Sequence, residues 1–197
     1  MLSWGWEPEE FLPVPTAAQI LASQGVETVA QLYAPHVGGG LARLFLRGVE
    51  RVVGFVAEAD AWVNVRESIE QRGPRPLVVN LYWSGTDDVA HNYGPLGERF
   101  AGAVQDLLHS MQAHLIDPMP SAAREGTLLL LTADHGQVET PPEAVIRLSD
   151  HPALEQMLLL PPAAETRAAY LYARPGRAGA VRAYLAEHLA EQFIVLD

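Results

Sequence analysis

Four side chains in this sequence have the types and spacing needed to hold cations. Asp87 and His91 lie four residues apart in Tyr82-Trp-Ser-Gly-Thr-Asp87-Asp88-Val-Ala-His91, so one helical turn would bring a carboxylate oxygen and an imidazole nitrogen to one side. Asp134 and His135 are adjacent in Thr132-Ala-Asp134-His135-Gly136, where the glycine is expected to relax the backbone so that neighbouring side chains converge. The chain has no cysteine, so any metal must sit among carboxylates, imidazoles and other oxygens. Two divalent ions about 4 Å apart suit phosphoryl transfer: one polarises a phosphoryl oxygen and activates a hydroxyl or water, and the other stabilises the leaving oxygen. Zinc is the expected ion, with manganese as the alternative. Each pair supplies two protein ligands, where a catalytic zinc usually takes three.

Taken alone, either cluster is equally well explained as a solvated helix face or a polar strand end. Their placement is what strengthens them. Residues 77–82, just after Pro76, form a mostly apolar run of the kind buried on both faces of a parallel sheet, and residues 127–132 form a second. Between them, residues 97–117 set Phe100, Val104, Leu107, Leu108, Met111 and Leu115 at helical spacing, closed by Pro118 and Pro120. The order is strand, loop, helix, strand, and both clusters follow the carboxyl ends of the strands, where open α/β sheets bind their ligands.

The flanking elements extend this pattern. Thr16 and Gln19 have capping-box spacing at the head of a short helix that Gly25 should stop. A strand over 26–33, a turn at 38–40, a short helix over 41–49 burying Leu41, Leu44, Phe45 and Val49, and a strand over 52–56 follow. A helix over 59–71 then runs through Trp62, Val63, Val65 and Ile69. The expected architecture is α/β, a three-layer sandwich around a mostly parallel sheet over residues 1–140. Residues 141–197 should add a Pro-rich linker, to about residue 164, and a small C-terminal β-α-β element with strands at 170–173 and 193–196 around a helix at 181–189.

Composition narrows the function. A formal charge of -11 argues against a sequence-independent grip on nucleic acid, which needs clustered cations. All 13 basic residues are arginine. No apolar run approaches the roughly 20 residues of a membrane span, and no basic segment followed by an apolar stretch opens the chain. The expectation is a soluble protein without a visible export signal; compartment and oligomeric state stay open.

From about Leu77 to Gln137 the chain resembles the type I phosphodiesterase/nucleotide pyrophosphatase branch of the alkaline phosphatase superfamily. In that family a strand leads to a Tyr, five residues on to a metal-binding Asp, four more to a metal-binding His, and then to Tyr-Gly-Pro. Tyr82, Asp87, His91 and Tyr93-Gly94-Pro95 match these positions, and Asp134-His135-Gly136 matches the family's Asp-His-Gly. The resemblance implies an incomplete alkaline-phosphatase-like core in which Asp87 and His91 share one metal and Asp134 and His135 the other. The substrate would be a small phosphodiester or nucleotide. Asp88, three residues from His91, is the alternative ligand, although the Tyr82 spacing favours Asp87.

The same family pattern includes an early strand-end Asp, a nucleophilic Thr or Ser, and a late third His. No residue here matches the first two; Thr16 is better explained by its capping box. His151, in Ser149-Asp150-His151-Pro152, is the additional metal-ligand candidate and resembles the late ligand of cofactor-independent phosphoglycerate mutases, while Pro152 suggests a helix start. The simplest expectation is an internal fragment with weak metal affinity and little turnover. Asn80 and Glu139 read as structural or outer hydrogen-bonding partners, and His36, His109, His114 and His188 as surface residues. A phosphomutase or sulfatase-like enzyme on the same scaffold, or a catalytically inactive binding domain, are the competing readings.

Overall fold

A computed structural model describes residues 7–165 and 167–196 of the chain. They divide into two compact units, Met1–Glu139 and Thr140–Asp197.

In the first unit, α1 (Pro8–Phe11) precedes α2 (Ala17–Ser23), whose capping box is complete. The Thr16 hydroxyl accepts from the Gln19 amide at 3.2 Å, and the Gln19 carboxamide accepts from the Thr16 amide at 2.9 Å. Gly25, at φ 77°, ends the turn and feeds β1 (Glu27–Tyr33). β1 is the centre of a parallel sheet ordered β2-β1-β3, with β2 at Arg51–Phe55 and β3 at Leu77–Leu81. A short helix, α3 (Gly40–Phe45), joins β1 to β2, and α4 (Glu58–Glu70) joins β2 to β3. This is the mixed α/β architecture of an alkaline-phosphatase-like partial core.

Helix α4 carries the core. Its Trp62 and Val65 are buried with Leu115, Met119 and Ala123, and Val79, Leu81 and Leu107 pack against them. Full burial of one such side chain contributes about 1.5–3 kcal/mol. The amphipathic segment forms α6 (Glu98–Met111) and then a π-helical turn (Gln112–Ile116), which carries Leu115 into the core.

Several expectations fail, each for a physical reason. β3 is not buried on both faces: Val79 and Leu81 face the α4 core, whereas Val78 and Asn80, on the opposite side by strand alternation, are exposed. In α3 only Leu44 is buried, because the helix stops at Phe45, about one turn before the expected end, and leaves Leu41 and Phe45 in solvent. Most consequential, residues 127–132 form no strand, so no βαβ unit closes there. Leu128 to Leu131 are 46–79% exposed. The four leucines ask for burial but, unlike the β-branched Thr127 and Thr132 that flank them, have little preference for the pleat, and no neighbouring strand bonds to the run.

The second unit is built on its own core of Leu154, Leu158, Val181, Leu185 and Leu189. The stretch expected as a linker holds α8 (Pro152–Met157), which follows α7 (Ser121–Arg124) in chain order and contributes Leu154. An antiparallel pair, β4 (Ala163–Glu165) and β5 (Ala168–Tyr170), precedes α9 (Ala178–His188). The expected last strand is absent, with Ile194 and Leu196 exposed.

Candidate metal centre

The carboxyl end of β3 delivers the first pair. The Tyr82 amide donates to the Gln31 carbonyl at 3.1 Å, holding the strand's exit to β1, and Trp83 stacks on the buried Phe55 with ring centres 5.9 Å apart. Gly85 then opens α5 (Gly85–Tyr93) beneath the Trp83 ring, where an added Cβ would come within 2.6 Å of the ring. Asp87 lies in the first turn of α5, a favourable place for a carboxylate. His91 lies one turn on, its Nε2 3.4 Å from Asp87 Oδ1. Asp88 is turned to Ser84, whose hydroxyl is 3.5 Å from its Oδ2.

The second pair arrives on an irregular segment. His135 Nε2 is 3.9 Å from Asp87 Oδ1 and 3.8 Å from Asp134 Oδ1. The His135 amide also donates to Asp134 Oδ1 at 3.1 Å. Asp87, His91, Asp134 and His135 are therefore contiguous, with two imidazoles from separate segments turned to one carboxylate oxygen. Gly136 does not act as expected: its φ is not positive and an added Cβ would meet nothing within 4 Å.

Donor chemistry and geometry bear differently on a bound cation. His135 Nδ1 lies 3.0 Å from the Gly136 carbonyl oxygen, a contact that requires Nδ1 to be the protonated nitrogen. A neutral ring in that tautomer keeps its Nε2 lone pair on the side of Asp87, the arrangement a metal-ligating imidazole needs. Fixing the second imidazole nitrogen on a carbonyl is also how proteins orient metal-ligating histidines. The donor set thus fits a zinc-like ion. The cage is not preassembled, since no group of three His, Asp or Glu side chains among the described residues is arranged to hold an ion.

His151 belongs to the second unit. It caps α8 before Pro152, and its Nδ1 is 3.0 Å from the Tyr184 hydroxyl. Thr16 has its hydroxyl engaged with the Gln19 amide and the Arg47 carbonyl, as a cap rather than a nucleophile. Glu139 sits against Gly94 at the end of α5, and Asn80 is exposed on β3. Sequence reasoning missed Gln137, whose carboxamide Nε2 donates to Asp87 Oδ1. The available signal was an amide side chain immediately after the ligand-rich Asp-His-Gly.

Carboxylate and imidazole donors gather beyond the carboxyl edge of a parallel sheet, the place where open α/β sheets bind their ligands. The chain belongs to the type I phosphodiesterase / nucleotide pyrophosphatase family, whose pattern it matches over residues 27–195. No curated protein and no solved structure matches it. Among the described residues no helix is long and apolar enough to cross a membrane.

Proposed function

We propose that this chain carries the metal centre of a phosphodiester or pyrophosphate hydrolase, with Asp87, His91, Asp134 and His135 as ligands to two divalent ions, zinc or alternatively manganese. The observation that carries the reading is the convergence of His91 and His135 on Asp87 Oδ1, 3.4 and 3.9 Å away, from two separate segments. Bound ions would supply Lewis acidity toward a phosphoryl oxygen and lower the pKa of an attacking hydroxyl or water. The chain's own residues do the holding. Asp87 is the shared carboxylate, His91 fixes it from within α5, and Asp134 and His135 approach from the facing segment.

Four protein donors for two ions fall short of the usual three per catalytic zinc, so metal affinity and turnover of this chain should both be low. The substrate class supported by the family is a small phosphodiester or nucleotide. The test is zinc content after equilibrium dialysis of the parent chain and of an Asp134→Ala/His135→Ala variant. The parent should retain zinc that the variant loses; equal content in both rejects the site.

A further inference from the structure

The link between Gln137 and Asp87 has a second aspect. Every residue from Arg124 to Arg147 is exposed except Gln137, which is half-buried. The segment that brings Asp134 and His135 has no sheet ladder to fix it, because residues 127–132 form no strand. It meets α5 through the His135 ring near Asp87, through Glu139 against Gly94, and through the Gln137 carboxamide, whose Nε2 donates to Asp87 Oδ1. A carboxamide nitrogen is a donor only, so the Gln137 atom that meets Asp87 acts on the carboxylate and is not itself a ligand. A carboxylate has about four lone-pair sites, so accepting from Gln137 leaves Asp87 capacity for a cation while fixing which way the group faces.

Resting on the metal-centre reading above, we infer that Gln137 is a positioning residue of that centre: it orients the Asp87 carboxylate and pins the Asp134-His135 segment to α5. A merely structural role would show itself in stability, but the segment is too exposed to contribute much there. The positioning role should instead appear in the metal's surroundings, since removing an outer hydrogen-bonding partner of a ligand typically weakens metal binding about 10–100-fold.

The experiment uses cobalt(II) alone as the probe, titrated into the parent chain, Gln137→Met and Asp87→Ala, following the visible absorption of the bound ion and the thermal midpoint of each protein. Gln137→Met keeps length and bulk but removes the donor. The expected result is cobalt affinity weakened at least about tenfold in Gln137→Met, with an altered absorption band and an unchanged thermal midpoint, and binding lost in Asp87→Ala. If Gln137→Met matches the parent in affinity and spectrum while Asp87→Ala loses the ion, the role of Gln137 is overturned and the metal centre stands. If the parent itself binds no cobalt, both fall. A lowered thermal midpoint with an unchanged spectrum assigns Gln137 to structure and also overturns the inference.

Discussion

Two apolar runs lead toward the candidate metal centre, and only one of them is a strand. Leu77–Leu81 bonds to β1 along its whole length and packs Val79 and Leu81 under α4. Leu128–Leu131 is as apolar, yet it bonds to no strand and lies in solvent. The difference shows that hydrophobic content creates a demand for burial without deciding where it is met. β3 has valines suited to the pleat, an available edge on β1, and a helix to cover one face. The leucine run lacks the valines and the covering helix, and it does not pair with the open edge that β3 presents. In consequence Asp87 and His91 are placed by a sheet and a helix, while Asp134 and His135 lie on an irregular segment that reaches Asp87 through a side-chain hydrogen bond from Gln137.

The largest expected effect comes from breaking what covers β3. Trp62 is 5% exposed, and Trp62→Ala should cost about 3–5 kcal/mol in denaturant unfolding. The matching change in the other run, Leu129→Ser, should stay within about 0.5 kcal/mol, because it removes little buried surface. Equal losses at the two positions would show that the leucine run is buried after all. A smaller effect is expected at the exit of β3. Gly85→Ala forces a methyl within 2.6 Å of the Trp83 ring, itself stacked on Phe55. Overpacking of this kind costs about 1–3 kcal/mol. The change should also shift the Trp83 fluorescence in a background with Trp4, Trp6 and Trp62 replaced by Phe, since the ring has to move.

Much of the first unit was legible because its signals were local and agreed with one another. The Thr16 capping box, the stop at Gly25, the strand before Tyr82 and the spacing of Trp62 and Val65 each follow from neighbouring residues, and the structure has them all. The four residues singled out by type and spacing lie near one another, with His91 and His135 at 3.4 and 3.9 Å from Asp87 Oδ1, but among the described residues no three are arranged to hold an ion. What failed depended on partners. Whether residues 127–132 become a strand, and whether Leu41 and Phe45 find a cover, is decided by surfaces elsewhere in the chain, which periodicity cannot supply. Gln137 was missed for a related reason: its place just after Asp-His-Gly is suggestive, but a glutamine's partner is set by a carboxylate 50 residues away in sequence.

The smallest effect separates the feet of the two runs by charge. Arg75, just before β3, donates to both carboxylate oxygens of Glu50 at 2.8 and 3.1 Å and lies 3.7 Å from Glu27. Arg72, at the foot of the leucine run, donates instead to the Thr127 hydroxyl and the Glu125 carbonyl, both at 3.0 Å. The Arg75 hydrogen bonds hold the Glu50 carboxyl below its ordinary range, and the guanidinium is raised in turn. A depressed carboxyl stabilises the fold above its unfolded pKa, about 4.3, and loses that contribution as pH falls from there through the folded value. Acidification should therefore loosen the foot of β3 and leave Arg72 and Thr127 as they are, because neither a hydroxyl nor a carbonyl titrates. Amide exchange at Leu77 and Val78, compared with Thr127 and Leu128 between pH 6 and about 3 after correction for intrinsic rates, reads this directly. Glu50→Gln should remove the extra acid sensitivity of β3. Its persistence in that variant would place the titrating group elsewhere, since the pair is exposed and only a modest contribution is expected of it.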